Sequence, residues 1–181
     1  MIPIVKPYIP PKEVLMPALE ETIYSGYIAQ GQKVEDFEFK LGQYFENKNV
    51  LTVNSGTSAL HLSLILANVG PGDEVISTND LYGGTYRLFT QIFEKFQIKF
   101  HFVGMDNAHN IESIINSNTK LIWVETPTNP MLNIIDIKRV SRIAKQHHIL
   151  LAVDNTFATP YLQRPLDLGA DIVMHSATKY L

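Results

Sequence analysis

A Ser-Gly-Thr turn stands directly before a helix-forming stretch in NSGTSALHL, residues 54–62. Backbone N–H groups at a helix start, together with the Thr57 and Ser58 hydroxyls, suit a phosphate dianion. Ser55 could equally be an ordinary N-cap of that helix. The chain has no G-x-G-x-x-G and no G-x-x-x-x-G-K-[ST] pattern, so neither a Rossmann dinucleotide site nor a P-loop is predicted. Gly56 and Thr57 are therefore candidate contacts of a single phosphate group.

An acidic residue and a lysine stand at or just beyond the ends of two apolar, strand-like runs. Asp154 ends the run ILLAVD, where an unpaired carboxylate is costly unless a cation or a hydrogen-bond donor meets it. Its alternative role is to cap the following turn. Lys179 lies close to Ser176 and Thr178 in SATKYL. A lone lysine is ordinarily a solvated surface group, but beside hydroxyls at the end of a core strand it is a candidate for covalent imine chemistry.

Two tyrosines belong to DLYGGTYRLF, residues 80–89. Tyr82 precedes two glycines in a loop, so its ring could lie on a flat ligand. Tyr86 falls on an apolar helical stripe and is predicted to be a core residue. The six histidines show no spacing typical of metal ligands, so we predict no metal site.

Together these residues meet the needs of pyridoxal phosphate. This cofactor requires a cup for its phosphate, an acid for its pyridine nitrogen, an aromatic ring for stacking and a lysine for the imine. Each part alone has a plain structural explanation. The combination predicts pyridoxal phosphate as the cofactor.

Six short runs with strand character place the candidate residues in a fold, at residues 49–54, 74–78, 98–103, 120–125, 149–154 and 171–176. Several are apolar almost throughout, which is typical of strands covered on both faces. Helical stretches lie between most of them, and the one at residues 57–67 is apolar all round and expected to be buried. The alternation predicts an α/β fold, with a mostly parallel sheet and helices on both faces. Ligands bind beyond the carboxyl ends of such strands, where the candidate residues collect.

The first 46 residues differ from the rest of the chain. Two helices are predicted there, at about residues 12–24 and 33–46, around a glycine-punctuated loop. We expect residues 1–46 to form a helical lead-in segment. Residues 47–181 then form a cofactor-binding α/β domain that is incomplete at its C-terminus.

The composition narrows the class of partner. The 181 residues carry 15 basic and 18 acidic side chains, a balance that predicts no nucleic-acid partner. Cysteine is absent, which excludes disulfides, thiolate metal sites and a cysteine nucleophile. No run approaches the roughly 20 apolar residues of a membrane span. We therefore predict no membrane association and a cytoplasmic location.

The motifs resemble those of fold-type I pyridoxal-phosphate enzymes. From about Ser77 to Leu181 the chain is similar to the cystathionine γ-synthases and γ-lyases of cysteine/methionine metabolism, through DLYGGTYRLF, VETPTNP and LAVDNTFATPYLQRPLDLGADIVMHSATKYL. The resemblance implies the large domain of that fold. It implies Lys179 as the imine-forming lysine and proton carrier, Asp154 as the partner of the pyridine nitrogen, and Tyr82 as the stacking ring. The other cofactor contacts that it implies are Asn129 at the ring oxygen and, at the phosphate, Gly56, Thr57, Ser176 and Thr178.

The N-terminal part resembles a second family. Residues 1–38, VNSGTSALHLSL and GPGDEVI are similar to sugar aminotransferases that use pyridoxal or pyridoxamine phosphate on nucleotide-linked keto sugars. The Tyr-x-Arg pair that cystathionine-type enzymes send into a neighbouring subunit's phosphate site has no match at Tyr24-Ser25-Gly26. Members of the cystathionine family also continue well beyond the lysine, so we expect this chain to be the truncated front half of an enzyme.

Three functions follow, in order of preference. The first is a pyridoxal-phosphate-dependent lyase or transferase of trans-sulfuration, acting by γ-elimination or γ-replacement on cystathionine or an activated homoserine. It implies a small amino-acid substrate and a homo-oligomer. The second is an aminotransferase for nucleotide-linked keto sugars, which the N-terminal part favours. The third, from a different class, is a non-catalytic folding or oligomerisation fragment.

Overall fold

The computed structural model describes residues 9–179, which fall into two compact units, one ending at Thr52 and the other beginning at Val53. Residues 1–8, at the start of the N-terminal segment, and residues 180–181, the last two of SATKYL, lie outside the described residues. The predicted division after residue 46 stays a prediction. Among the helices of residues 9–179, none combines the length and the apolar character that a bilayer crossing requires.

Two helices build the first unit, as the sequence predicts. Helix α1 spans Lys12–Ser25 and helix α2 spans Gln32–Phe45. Helix α1 ends at Gly26, whose φ of 79° is a left-handed conformation that glycine adopts without strain. The two predicted helices are therefore confirmed to within a residue or two at their ends.

Residues 49–54 do not form the strand that the sequence predicts. The Asn49 N–H donates to Asn47 Oδ1 at 2.8 Å, and the Thr52 N–H donates to Glu38 Oε1 at 2.6 Å. Strand pairing needs these donors for a neighbouring ladder, and here two of them are satisfied by side chains instead. The sequence is apolar as a strand would be, but these two backbone donors bind the side chains of Asn47 and of Glu38 on α2.

The other five predicted strands are confirmed and form one parallel sheet in the order β2-β1-β3-β4-β5. Their bounds are β1 Glu74–Thr78, β2 Lys99–Val103, β3 Thr119–Glu125, β4 Leu150–Asp154 and β5 Ile172–Met174. Strand β2 lies on one side of β1, and the next strand in sequence, β3, lies on the other. The order of strands reverses between β1 and β3, and such a reversal opens a crevice at the carboxyl edge of a sheet.

Helices cover both faces of this sheet, which confirms the predicted α/β architecture. The helices are α3 Gly56–Leu66, α4 Gly83–Arg87, α5 Ala108–Glu112, α6 Ile137–Gln146 and α7 Thr159–Leu162. Alternate strand residues point to opposite faces. Ile122 and Val124 pack with α6, whereas Leu121 and Trp123 pack with α3 and with Phe89. The carboxyl ends of the strands are held rigidly between these two layers.

Two burial predictions for the helices are wrong. Tyr86, predicted to be core, is 49% exposed, although its ring contacts that of Phe102 at 5.1 Å between centroids. The segment after α4 continues as a π-helical turn at Leu88–Ile92 and a 3₁₀ turn at Phe93–Phe96, so the regular helical period is lost. Helix α3 is buried on one face only, since Ile65 is 57% exposed.

Phe89 is the aromatic residue that joins this irregular segment to the sheet. It is fully buried, stacks on Phe100 with 4.3 Å between ring centroids and meets Trp123 edge to face. Phe89→Ala should lower the free energy of unfolding by about 3 to 5 kcal/mol, because it leaves a cavity that the sheet cannot close. Urea denaturation measures the change. Phe96→Ala is the matched control, because Phe96 is 60% exposed and should cost far less. Equal losses in the two variants would contradict this packing role.

Candidate active site

One open cleft lies at the carboxyl edge of the sheet. The space inside it, counted together with the open solvent at its mouth, is about 770 Å³. The lining includes all eight site residues that the family resemblance implies: Gly56, Thr57, Tyr82, Asn129, Asp154, Ser176, Thr178 and Lys179. These residues come from separate loops along the chain, and the parallel sheet brings them together.

One end of the cleft has the chemistry of an anion cup. Ser55 caps α3 by accepting the Ser58 N–H at 3.1 Å, and the Ser58 hydroxyl donates to Asn54, so Ser58 belongs to the capping network and not to the cleft lining. The Gly56 and Thr57 N–H groups lie in the first turn, where no intrahelical acceptor exists. Both proposed roles of the turn, N-cap and cleft wall, therefore occur together.

A second loop closes this cup from the opposite side. A Cβ atom on Gly56 would lie 3.3 Å from Ser176 Oγ, so the two backbones approach closely because residue 56 is glycine. The Ser176 hydroxyl lies 3.1 Å from that of Thr178. The backbone N–H of Lys179 donates to the Ser176 carbonyl at 3.3 Å, which holds the exposed lysine in the turn beside these hydroxyls.

Asp154 is a buried carboxyl group on the floor of the cleft, with 8% of its surface exposed. Its Oδ1 accepts the Thr156 N–H at 3.0 Å, so the turn-cap role considered for it is present. Burial nevertheless raises the pKa of Asp154, because this hydrogen bonding does not replace full hydration. A cationic N–H group in the cleft would stabilise the charged form.

Thr156 is a cleft residue that the sequence motifs did not single out. Its hydroxyl accepts the Ser176 N–H at 2.9 Å while its own N–H meets Asp154. It therefore couples the acid to the anion cup. The position of a threonine two residues after a strand-ending aspartate is the signal that could have identified it.

The Tyr82 ring forms another wall and depends on a glycine. Tyr82 is the N-cap of α4, and a Cβ atom on Gly84 would overlap its ring, whereas a Cβ atom on Gly83 would meet nothing within 4 Å. The ring lies folded over the start of α4. Only the second of the two glycines in LYGGT is required by this contact.

The loop that carries Asn129 is anchored by Asp80. The Asp80 carboxylate accepts a hydrogen bond from the Thr128 hydroxyl, one from the Met131 N–H at 3.2 Å and one from the Asn133 amide at 3.3 Å. These contacts cross the crevice between β1 and β3. Asn129 is thereby held at the edge of the cleft.

Glu125 is the principal site residue that sequence reasoning missed. It ends β3, is 5% exposed, lines the cleft and pairs in register with Asp154. Its Oε2 accepts the Tyr82 N–H at 3.0 Å. Burial, with smaller contributions from the charges of Asp154 and Asp80, raises the pKa of Glu125 to about 8. A carboxylate ending an apolar run was the signal used for Asp154, and it applies equally to VETPTNP.

The cleft fits a flat cofactor with an anionic end and a protonatable ring nitrogen. The anion cup supplies helix amides and hydroxyls, and Asp154 supplies a buried acid that lacks a cationic partner among the described residues. Tyr82 supplies an aromatic surface and Lys179 an amine. The donor and acceptor chemistry therefore agrees with pyridoxal phosphate.

A family model described as Cys/Met metabolism PLP-dependent enzyme matches residues 20–181. The match begins well before Ser77, where the motifs place the start of the resemblance. The range therefore includes most of the segment that resembles sugar aminotransferases.

Curated relatives and solved structures agree with this match. The chain is 52% identical over 131 residues to a cystathionine gamma-synthase/O-acetylhomoserine (thiol)-lyase of Bacillus subtilis, covering 72% of this chain and 35% of that protein. It is 50% identical over 144 residues to the cystathionine beta-lyase MetC of Staphylococcus haemolyticus, covering 80% of this chain and 36% of that protein. The chain thus spans about a third of the length of these relatives.

Two solved structures share the fold. The cystathionine gamma-lyase of Lactobacillus plantarum, complexed with L-serine, superimposes with a TM-score of 0.67 at 44% identity, over 70% of this chain and 32% of that one. A putative O-acetylhomoserine (thiol)-lyase of Campylobacter jejuni superimposes with a TM-score of 0.68 at 38% identity, over 71% of this chain and 31% of that one. The second structure carries a pyridoxyl-lysine monophosphate.

The raised pKa of Glu125 makes the stability of the fold depend on pH. Its ordinary pKa is 4.5 and its pKa in the fold is about 8, so the folded chain binds the extra proton between these values. The contribution of this residue to stability is then greatest below about pH 4.5 and falls as the pH rises to about 8. Glu125→Gln, which cannot ionise, should lose less stability than the wild type over this range.

Urea denaturation at several pH values between 5 and 9 measures the difference between the two proteins. Burial also lowers the pKa of His175 to about 4. The effect of His175 on stability is the same in both proteins, so it cancels in the difference between them. A constant difference from pH 5 to pH 9 would show that Glu125 ionises normally.

Proposed function

The chain belongs to the Cys/Met metabolism PLP-dependent enzyme family, and we propose that it is a pyridoxal-phosphate-dependent lyase or transferase of sulfur amino-acid metabolism. The proposed reaction is γ-elimination or γ-replacement on cystathionine or an activated homoserine. The observation that carries the proposal is that all eight candidate residues line one cleft. The parallel sheet brings their segments to one edge, and the residue types that meet there are those that pyridoxal phosphate requires.

Each residue has a proposed task in holding the cofactor. The amides of Gly56 and Thr57 and the hydroxyls of Ser176 and Thr178 bind the phosphate, because a helix start and neutral donors favour a dianion. Asp154 keeps a proton on the pyridine nitrogen, since a buried carboxylate gains most from a cationic donor. Tyr82 stacks on the ring, and Asn129 lies at the ring oxygen.

When bound, pyridoxal phosphate supplies an electron-withdrawing system that acidifies the hydrogens near the substrate's amino group. Lys179 Nζ holds the cofactor until substrate arrives and then accepts the proton from the substrate's α carbon. The same nitrogen then carries protons to and from the β carbon, where a positioned base can act repeatedly. Its location on a turn beside the anion cup supports this role, because the side chain is free to reach along the cleft.

The sugar-aminotransferase function remains the second proposal, and it rests on the similarity of residues 1–38, VNSGTSALHLSL and GPGDEVI. Relatives named for cystathionine chemistry favour the first proposal. A homo-oligomeric assembly and a cytoplasmic location stay predictions from the sequence.

Attachment of the cofactor is the direct test of the proposal. After incubation with pyridoxal phosphate and borohydride reduction, mass spectrometry should find the adduct on Lys179. Lys179→Ala should remove it, while Lys120→Ala, at an exposed position on β3, should keep it. An adduct on another lysine in the wild type would refute the assignment.

The substrate class is tested on the same loaded protein. Deuterium should exchange into the α position of cystathionine or O-acetylhomoserine in D₂O when Lys179 is present, and NMR measures the exchange. Reaction only with a nucleotide-linked keto sugar and an amino donor would favour the second proposal.

The glycines beside Tyr82 provide a matched pair of variants. Gly84→Ala should displace the Tyr82 ring and weaken cofactor binding by about 1 kcal/mol, the typical contribution of ring stacking. Gly83→Ala should leave binding unchanged, because an added methyl group meets nothing there. Fluorescence titration with pyridoxal phosphate measures both dissociation constants. Equal constants for the two variants would mean that the Tyr82 ring does not stack on the cofactor.

A further inference from the structure

Glu125 occupies the point where the strand order reverses, between the loop that follows β1 and the loop that follows β3. Its carboxyl group accepts the backbone N–H of Tyr82 at 3.0 Å, from the first loop. The backbone N–H of Asn129, from the second loop, also faces this carboxyl group and lowers its pKa against the larger effect of burial. A single buried side chain therefore lies between two loops whose own side chains line the cleft.

We propose that Glu125 is a positioning residue whose carboxyl group ties the Tyr82 loop to the Asn129 loop and so fixes the Tyr82 ring against the cofactor; this inference rests on the proposed function. The carboxyl group does not touch the reacting atoms. It acts through the backbone of the two residues that do contact the cofactor.

The position of Glu125 suits this task because its strand is held on both sides. Strand β3 lies between β1 and β4, and its residues Leu121, Ile122, Trp123 and Val124 are fully buried. The two loops, in contrast, lead into exposed side chains, with Tyr82 50% and Met131 70% exposed. A tie from a rigid strand to the start of each loop limits the motion of both.

The surrounding charges explain why a carboxyl group can perform this task. Asp154 faces Glu125 from β4, Asp80 faces it from the loop after β1, and Lys179 lines the same cleft. Burial and the two carboxylates favour the protonated form of Glu125 near neutral pH. It then accepts the Tyr82 N–H and faces the Asn129 N–H without adding a second negative charge beside Asp154, which we propose pairs with the ring nitrogen.

Amide hydrogen exchange tests the tie without any cofactor. In Glu125→Ala the amides of Tyr82 and Asn129 should exchange about tenfold faster, which corresponds to the loss of one hydrogen bond each. Glu125→Gln should keep one of the two amides protected, because its side-chain amide has only one accepting oxygen. Unchanged exchange at both amides in Glu125→Ala would overturn the inference.

Glu74→Ala is the matched control for a general loss of stability. Glu74 also accepts side-chain hydrogen bonds, including one from Asn116 at 2.8 Å, but it begins β1 at the opposite edge of the sheet. Its removal should lower the melting temperature and leave exchange at Tyr82 and Asn129 unchanged. Equal acceleration in both variants would assign Glu125 a merely structural role.

The visible circular dichroism of bound pyridoxal phosphate tests the effect on the ring. At saturating cofactor, Glu125→Ala should reduce the dichroic band by at least about half, because a mobile Tyr82 no longer fixes one asymmetric environment. An unchanged band together with faster amide exchange would overturn the positioning of the ring. If no variant attaches cofactor at Lys179, the proposed function fails, and the exchange measurement alone decides whether Glu125 ties the loops.

Discussion

The in-register parallel pairing of β3 with β4 is the constraint on which the cleft depends. It sets Glu125 opposite Asp154, with Trp123 opposite Ala152 one layer below. Two carboxyl groups at adjacent strand ends are both shielded from water by the packed sheet. Either a cation must lie beside them or one of them must bind a proton. Burial therefore raises the pKa values of both carboxyl groups at the place where the sheet opens a crevice, and N–H groups of the surrounding loops donate hydrogen bonds to them.

Two networks of hydrogen bonds divide the cleft between them. On one side Thr156 connects Asp154 to the Ser176 turn, which closes on Gly56. On the other side Asp80 holds the loop that carries Asn129 through the Met131 N–H and the Asn133 amide, while Glu125 binds the Tyr82 N–H of the loop after β1. The first network shapes an anion cup and the second shapes a wall for a flat ring. Glu125 and Asp154 lie side by side in register where the two networks approach each other, and the charge of Asp154 raises the pKa of Glu125.

The sequence predicts the sheet well because its strands depend on local patterns, whereas the eight residues that line the cleft were implied as a set by the family resemblance. Apolar runs covered on both faces have few alternatives to a parallel strand, and the ends of parallel strands must share one edge. Residues 49–54 have the same apolar character, yet the Thr52 N–H is satisfied by Glu38, a contact that no periodicity contains. Tyr86 was misplaced for a similar reason, since the π-helical turn after it breaks the period on which the prediction rests.

Glu125 shows why the role of a site residue cannot be predicted from its motif alone, although its position at the end of an apolar run marks it as a candidate, as it does for Asp154. The Tyr82 N–H that it accepts and the Asn129 N–H that it faces carry no sequence signal, because any residue except proline offers the same donor. Only the order of the strands reveals that the loops after β1 and β3 face each other across the crevice. Side chains that bind a ligand can be recognised by their type, whereas a side chain that positions them is recognised by which backbone segments it joins. The role of the second kind of residue therefore becomes visible when the topology is known.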